Sequence, residues 1–354
     1  MTSNFILGDE GNGFVRSLLG TLPAADLGGW ELTWHYFEPL AKLYLDQSVT
    51  EIMVDRYDRV RIERKGRLED AETRFASEQS LQRLISQIAS RLNQPVGDDH
   101  PILDARFPDG SRLCCTWPAV TPGGSTITIR CKRDQALTLE QLVSAGALTD
   151  DMAACIVEHV VDASTLLVSG GTSSGKTTIL RAAAMHIPRG DRVITAEDTL
   201  ELNLGAFLPG VIAHEAPKRR ADDKIQAVRL QHLIKTTLRE RPDRVWVGEI
   251  RDAEAANAFL EMGNTGHTGG ASTIHANSPA DAVRRIQILL AADGLLSYEL
   301  AGHQVLNVVQ LFIQAKRHRI HGRRITEIAV VDNGNLVPLY RFNLITGQHE
   351  KLAA

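Results

Sequence analysis

The sequence predicts two domains, a small α+β domain followed by a larger α/β domain. A chain of 354 residues is long enough for about two domains, each with its own core. Strand-like alternation dominates the stretch before residue 133, whereas short apolar strands alternate with helical segments after residue 151. We therefore divide the chain into a flexible N-terminal arm, an α+β domain, a linker and an α/β domain, at residues 1–29, 30–133, 134–150 and 151–354.

The composition is that of an ordinary soluble protein, with 43% hydrophobic and 23% charged residues. The net charge of −4 gives no sign of nucleic-acid binding, and no apolar run approaches the roughly 18 residues that cross a bilayer. The first twelve residues contain two acids and no base, so we expect no secretory signal. The four cysteines form no C-x-x-C pair, so the sequence predicts no zinc site and favours a reduced, cytoplasmic location.

The first domain is predicted from a mixture of helical and strand patterns. The arm carries one expected short helix, at residues 14–22. Residues 77–92 show apolar side chains three to four positions apart, which is typical of an amphipathic helix. A Pro-Asp-Gly turn at 108–110 separates two of the later strands. The predicted elements are a helix at 34–45, strands at 50–54 and 59–63, a helix at 77–92, and strands within 102–117 and at 125–130.

The second domain follows a linker with one short predicted helix, Leu139–Ser144, which Gly146 ends. Another helix, from Asp151, leads into the first strand of the domain. Strands alternate with helices from there, and a tail of further strands begins at about residue 308. Such alternation is typical of α/β nucleotide-binding domains. The predicted strands of the alternating part lie at 166–168, 192–196, 245–248 and 270–274.

The most specific motif occupies residues 166–178. An apolar strand is followed by G-G-T-S-S-G-K-T, which matches the P-loop pattern G-x-x-x-x-G-K-[ST] without a mismatch, and then by a predicted helix. Glycines let backbone N–H groups surround phosphate oxygens, and the helix points its positive end at the same place. We expect Lys176 to reach the β- and γ-phosphates and the Thr177 hydroxyl to bind Mg²⁺. The predicted phosphate-binding residues are Gly171, Thr172, Ser173, Ser174, Gly175, Lys176, Thr177 and Thr178.

Two acidic segments follow predicted strands of the same domain. In R-V-W-V-G-E-I-R-D, residues 244–252, an apolar strand leads to Glu249, which suits the water shell of Mg²⁺. In T-A-E-D-T-L-E-L, residues 195–202, a carboxylate is available to deprotonate an attacking water. Acids that simply face solvent are the alternative in both segments. The acids of the second segment are Glu197, Asp198 and Glu201.

Two histidines, His267 and His275, flank a predicted strand in T-G-H-T-G-G-A-S-T-I-H-A-N, residues 265–277. They suit sensing of a γ-phosphate or coupling of the site to a neighbouring subunit. A zinc pair is the rival interpretation, although no third ligand is evident. A purely structural role for both histidines is also open.

These motifs, in this order, resemble the secretion (traffic) ATPases of type II and type IV systems, over nearly all of residues 34–340. In that family the segments are called Walker A, Asp box, Walker B and His box. The branch of the conjugative-transfer ATPase TrbB and the pilus-assembly ATPase CpaF is most similar, and P-I-L-D-A-R-F-P-D-G-S-R at 101–112 and T-I-T-I-R at 126–130 also match it. The four-cysteine zinc insert of other branches is absent, and Thr199 stands where relatives often have proline. The resemblance implies a RecA-like P-loop domain preceded by a PAS-like α+β domain.

The resemblance also implies a role for each matched residue. Glu201 would be the catalytic base, supported by Glu197 and Asp198. Lys176 and Glu249 would complete the catalytic set, and Thr177 and Glu249 would hold Mg²⁺, the latter through water. The remaining nucleotide contacts would come from the first domain and from the His box: Arg112 and Arg130, with Arg106 as a weaker candidate, and His267 and His275.

The function that the resemblance implies is a cytoplasmic ATPase, peripheral to the inner membrane through protein partners. A hexameric ring would bind ATP and Mg²⁺, hydrolyse ATP to ADP and phosphate, and power a secretion, conjugation or pilus-assembly machine by nucleotide-driven domain motion. We expect neither direct nucleic-acid contact nor a transmembrane segment. Two rivals are a P-loop kinase, for which no acceptor motif is evident, and a non-hydrolysing, nucleotide-gated assembly factor, against which Glu201 and Glu249 argue.

Overall fold

The computed structural model describes residues 27–64, 66–133, 136–217 and 228–352. The chain separates into two compact units, Met1–Arg133 and Asp134–Ala354. The short helix expected at 14–22 lies outside the described residues, as does most of the arm.

The described part of the first unit contains two helices and one antiparallel sheet. Its six strands lie in the order β3-β2-β1-β6-β5-β4, and each is antiparallel to its neighbours. The strands and helices predicted for residues 34–130 are confirmed, apart from shifts at their ends. The elements are α1 (Leu27–Leu45), β1 (Val49–Arg56), β2 (Arg59–Arg64), β3 (Arg67–Ala71), α2 (Glu78–Arg91), β4 (Ile102–Arg106), β5 (Arg112–Thr116) and β6 (Thr126–Arg130).

The core of the first unit lies between the two helices and one face of the sheet. Helix α1 begins at Leu27 rather than at Trp34, and it continues through Pro39. Its buried aromatic residues recur at helical spacing, at Trp30, Trp34 and Phe37, so the longer helix buries more apolar surface. Helix α2 begins after Ser77, which forms a capping box with Ser80: each side chain bonds to the backbone N–H of the other residue.

The second unit contains a nine-stranded sheet in the order β15-β14-β13-β12-β7-β11-β10-β8-β9. Strands β12, β7, β11, β10, β8 and β9 are parallel, and β13 to β15 extend the sheet as antiparallel strands. The α-helices among its described residues are α3 (Leu139–Ser144), α4 (Asp150–Val161), α5 (Lys176–Ala184), α6 (Leu230–Thr237), α7 (Ala253–Asn264), α8 (Pro279–Ala292) and α9 (Tyr298–Val308). The strands are β7 (Leu166–Gly170), β8 (Val193–Glu197), β9 (Ile212–Glu215), β10 (Arg244–Val247), β11 (Ala271–Ile274), β12 (Leu311–His318), β13 (Gly322–Asp332), β14 (Asn335–Asn343) and β15 (Gln348–Lys351).

The second unit is an α/β domain, as predicted, and its helices form a layer on each face of the sheet. Residues of α3, α4 and α5 pack on one face of the sheet, and residues of α6 to α9 pack on the other. Strand β7 is fully buried, because it lies near the middle of the sheet with a helical layer on each side. None of the described helices is long and apolar enough to cross a membrane.

Two strands were absent from the prediction. Strand β3 is exposed along nearly its whole length and is mostly charged, so it lacks the apolar alternation by which strands are predicted. Strand β9 has only four residues, none of them fully buried, and its place at the edge of the sheet comes from pairing with β8. Both are edge strands, where burial provides little sequence signal.

Candidate active site

The predicted motifs of the second unit meet at one edge of its sheet. Parallel strands end on the same side, and the segments that follow them lie together there. We call this side the carboxyl edge, defined by the C-terminal ends of β7, β8, β10 and β11. The P-loop follows β7, Glu197 ends β8, Glu249 comes after β10, and His275 comes directly after β11.

The P-loop backbone adopts conformations that constrain its sequence. Gly170 has φ of 159°, and a side chain there would collide with the carbonyl oxygen of Ala315 and with Ser174 Oγ. Gly175 is the N-cap residue of α5 and has φ of 102°, a region that L residues rarely adopt. Ser173 is also left-handed, with φ of 55°. The close packing of β12 against the loop therefore requires glycine at position 170.

The ammonium group of Lys176 lies where three motifs converge. Its Nζ atom donates to the carbonyl oxygens of Gly170 at 3.1 Å and Gly171 at 3.0 Å. His275 Nδ1 lies 3.4 Å from Nζ, and Glu249 Oε1 lies 3.8 Å from it. The lysine is only 8% exposed, so its charge depends on these partners for solvation.

His275 connects the lysine of the P-loop with the glutamate of Walker B. Its Nε2 atom lies 3.1 Å from Glu249 Oε1, while Nδ1 faces the lysine. The tautomer with its proton on Nε2 satisfies both contacts, because an ammonium group only donates and a carboxylate only accepts. The imidazole is 47% exposed and therefore also accessible from solvent.

The structure separates the two histidines of the His box. His267 precedes β11 and His275 follows it, so they lie at opposite ends of a four-residue strand, roughly 10 Å long. His267 Nδ1 lies 3.3 Å from Thr265 Oγ1, away from the P-loop within this unit. A zinc ion bound by both histidines would need each nitrogen at about 2 Å. The strand length excludes that pair as ligands of one ion within one chain.

A cation missed by the sequence interpretation, Arg251, lies among the acids of the site. Its Nε atom donates to Glu249 Oε2. The pKa of Arg251 is raised: burial alone would lower it, but the bond to Glu249 and the charges of Asp198 and Glu201 more than reverse this. Arg251 thus brings the carboxylates of Walker B and the Asp box into one electrostatic cluster.

Glu197 and Glu201 have different environments. Glu197 is 1% exposed, and its Oε2 accepts the backbone N–H groups of Glu201 at 2.7 Å and Leu202 at 2.9 Å. Burial raises the pKa of Glu197, although these N–H groups and the Thr195 hydroxyl partly offset the effect. Glu201 is half-buried. Glu197 therefore holds the backbone that carries Glu201, and Glu201 is the more exposed of the two residues.

The residues present fit a phosphate chain and a magnesium ion. Ser174 Oγ is buried without a hydrogen-bond partner in the described part of the chain, and it lies inside the loop beside Gly170. A buried hydroxyl of this kind is a donor available to an anion. Thr177 lies in the first turn of α5, and Glu249 is 15% exposed at the same edge. Of the other predicted contacts, Gly171 and Thr172 are exposed and Thr178 is half-buried.

A second residue missed by the sequence interpretation, Arg323, supports the P-loop. It belongs to β13, and its Nε atom donates to the carbonyl oxygen of Ser173 at 2.9 Å. That carbonyl belongs to the left-handed residue of the loop, so the bond stabilises an otherwise disfavoured conformation. The sequence around Arg323 did not indicate this role, because the residue that Arg323 contacts, Ser173, lies 150 positions earlier in the chain.

The predicted arginines of the first unit form a row across its sheet. Arg106 pairs with Arg112 between β4 and β5, and Arg112 pairs with Arg130 between β5 and β6. Paired residues of antiparallel strands project from the same face, which here is the face opposite the helices. Arg130 Nε also lies 3.3 Å from Glu51 Oε1. The structure brings these three positions together.

The turn before Arg112 is fixed by a carboxylate. Asp109 accepts the backbone N–H of Ser111 at 2.9 Å, and its other oxygen accepts the hydroxyl groups of Ser111 and Tyr44. Burial, with Asp109 as a further cause, raises the pKa of Tyr44 well above its ordinary value, so the phenol remains a donor. The Pro-Asp-Gly-Ser segment thereby sets the start of β5 and the place of Arg112 in the row.

Comparisons with known proteins identify relatives of this chain. Two relatives carry the name conjugal transfer protein TrbB. The protein of Rhizobium radiobacter is 32% identical over 312 residues, which cover 86% of this chain and 88% of the relative. The protein of Sinorhizobium fredii is 34% identical over 292 residues, which cover 81% and 84%.

A solved structure, that of the Legionella pneumophila ATPase DotB, has the same fold. It matches with a TM-score of 0.63 at 20% identity, over 84% of this chain and 81% of that protein. The family model described as type II/IV secretion system protein matches residues 35–331, which is most of the chain. The chain therefore belongs to the family of type II/IV secretion system proteins.

Proposed function

We propose that this protein is an ATPase that powers a conjugation, secretion or pilus-assembly machine. The observation that carries the proposal is the convergence of Lys176, Glu249 and His275 at the mouth of the P-loop. The relatives named conjugal transfer protein support the cellular role, and the ATPase DotB supports the fold on which it rests. The reaction is hydrolysis of ATP to ADP and phosphate.

Lys176 binds the phosphate chain in this proposal. In the structure its ammonium group bonds to two carbonyl oxygens of its own loop, so phosphate oxygens must replace these partners when ATP binds. The lysine charge then stabilises the negative charge on the transferring phosphoryl group. Thr177 and Glu249 are the residues that would hold Mg²⁺, which neutralises phosphate charge when it is bound.

Glu201 is the proposed general base. A carboxylate that deprotonates water must be accessible to that water, which half-buried Glu201 is and fully buried Glu197 is not. Glu197 instead fixes the backbone of Glu201 by accepting its N–H group. Arg251 lowers the repulsion between the acids of the cluster, and Asp198 contributes to the same charge balance.

The arginine row of the first unit is proposed to contact the bound nucleotide. Guanidinium groups suit this role, because they can form two parallel bonds to phosphate oxygens. Closure of the first domain over ATP, but less over ADP, would convert hydrolysis into motion. We propose a homohexameric ring on the cytoplasmic side of the inner membrane, bound there through partner proteins of the machine. His267, remote from the P-loop within its own unit, suits contact with a neighbouring subunit.

Two other functions use the same nucleotide site. A P-loop kinase would place an acceptor in the position that hydrolysis gives to water. A nucleotide-gated assembly factor would bind ATP without turnover. Half-buried Glu201, whose backbone N–H is held by Glu197, favours hydrolysis over both. Release of phosphate from ATP by the purified protein, without any added acceptor, tests the choice directly.

Replacement of Lys176 by alanine tests whether the P-loop is the catalytic site. The variant Lys176→Ala loses the positive charge at the transferring phosphoryl group, so we expect the rate of phosphate release to fall by about a hundredfold or more. The measurement is steady-state phosphate release at saturating ATP and Mg²⁺. A variant that keeps more than about a tenth of the wild-type rate, a barrier change of less than about 1.4 kcal/mol, would contradict the proposal.

A pair of glutamine variants tests the identity of the base. We expect Glu201→Gln to bind ATP normally and to lose turnover by about a hundredfold or more, because an amide cannot accept the proton of water. The matched control is Glu197→Gln, in which the amide oxygen still accepts both backbone N–H groups. It should keep a rate close to that of the wild type. Loss of turnover in Glu197→Gln or Glu249→Gln, with turnover kept in Glu201→Gln, would refute the assignment.

The same control tests the environment of Glu197. Its raised folded-state pKa means that ionisation costs stability as the pH rises above the unfolded value of about 4.3. The melting temperature of Glu197→Gln, relative to the wild type, should therefore be higher at pH 7 than at pH 4.5.

Arginine variants test the role of the first domain. Arg112→Ala and Arg130→Ala should each lower kcat/KM for ATP by about tenfold or more, and lysine should restore the activity poorly because it lacks the planar fork. Arg67→Ala, at an exposed position of β3, is the matched control. It should leave kcat/KM for ATP unchanged and alter the free energy of unfolding by no more than about 0.5 kcal/mol. If both alanine variants turn over ATP at the control rate, the arginine row does not contact the bound nucleotide and this part of the proposal is wrong.

A further inference from the structure

A buried glutamine, Gln314, lies in β12 beside the strand that leads into the P-loop. It is 3% exposed, and it pairs in parallel register with Ser169 of β7. Gln314 belongs to no motif of the sequence interpretation, whereas Ser169 directly precedes Gly170, the first glycine of the P-loop pattern. A buried amide must find hydrogen-bond partners, because an unsatisfied one costs about 1–3 kcal/mol.

The amide of Gln314 connects two segments of the site. Ser169 Oγ donates to Oε1, and Nε2 donates to the carbonyl oxygen of Ala276 at 3.2 Å. A carbonyl oxygen only accepts, so it must face the NH₂ group of the amide, and Oε1 must then face the serine hydroxyl. The orientation of the side chain is therefore determined by its partners.

Both partners are direct neighbours of residues that contact Lys176. Ser169 precedes Gly170, whose carbonyl oxygen accepts from Lys176, and Ala276 follows His275. Strand β7 lies between β12 and β11 in the sheet. The side chain of Gln314 thus spans the carboxyl end of β7 and joins the start of the P-loop to the end of the His box.

We propose that Gln314 is a positioning residue that holds the His275 imidazole against Lys176 and Glu249. Without the bond to Ala276, the backbone after His275 loses its tie to the P-loop strand. The two imidazole contacts, at 3.4 Å and 3.1 Å, then depend on β11 alone. The inference rests on the proposed function only where ATP turnover is measured. The position of the His275 imidazole can be measured in a protein that does not turn over ATP.

A purely structural role for Gln314 predicts a different result. Loss of the amide would then lower stability and act on turnover independently of His275. A positioning role predicts that the two residues act through one interaction, so that their effects are not additive. The substitution to test is Gln314→Met, which keeps the length of the side chain and removes its hydrogen bonds to Ser169 and Ala276.

The matched control is Gln310→Met. Gln310 precedes β12, and its Oε1 accepts the backbone N–H of Thr165, which precedes β7. The same chemical change is therefore made between the same two strands, at the end away from the P-loop. Gln310→Met should leave kcat and KM for ATP unchanged.

The experiment is a double-mutant cycle of Gln314→Met and His275→Ala, with phosphate release measured against ATP concentration. We expect Gln314→Met to lower kcat by about tenfold to a hundredfold, as displaced catalytic groups do, with less change in KM. The double variant should be no slower than His275→Ala alone. Rates that multiply would overturn the proposal. If Gln314→Met does not fold, Ser169→Ala replaces it in the cycle with the same criterion.

A second readout separates this inference from the proposed function. In nitrogen-15 spectra of the histidine side chains, the signals lost in His275→Ala identify that ring. They should shift in Gln314→Met and stay unchanged in Gln310→Met, whether or not the wild type hydrolyses ATP. A wild type without turnover would refute the ATPase, and unshifted His275 signals in Gln314→Met would refute the positioning role.

Discussion

The geometry of the site depends on the contacts that compensate the buried ammonium group of Lys176. A charge that is 8% exposed must be compensated by protein groups, and three separate segments provide them. The P-loop offers two carbonyl oxygens, Walker B offers Glu249, and the His box offers His275. Anything that displaces the ammonium, such as a phosphate chain, therefore acts on all three segments at once.

The sheet supplies the framework for this convergence. Because β7, β10 and β11 are parallel, the segments that follow them emerge at one edge, although they are far apart in sequence. Strand β12 packs so closely against β7 that a side chain at Gly170 would collide with Ala315. The β12–β13 hairpin then reaches the site from outside the motifs, through Gln314 of one strand and Arg323 of the other.

The motifs could be predicted from the sequence because each is defined locally. The P-loop pattern and its strand–loop–helix setting lie within thirteen residues, and the order of the remaining segments carries the family resemblance that implies their roles. Arg323 and Gln314 could not be predicted, since their contacts span 150 and 145 residues and their own surroundings in the sequence resemble ordinary strands. The resemblance implied a base at Glu201 and a supporting role for Glu197, but their different environments became visible only in the structure, where Glu197 is buried and accepts the backbone N–H of Glu201.

The central claim is that the P-loop binds the phosphate chain of ATP by exchanging the present partners of Lys176. A crystal structure with a non-hydrolysable ATP analogue and Mg²⁺ tests it most directly. The account predicts phosphate oxygens in contact with Lys176 Nζ and Ser174 Oγ, with the bonds from Lys176 to Gly170 and Gly171 broken. An analogue bound away from residues 170–178, or bound there with Lys176 still on both carbonyl oxygens, would contradict it.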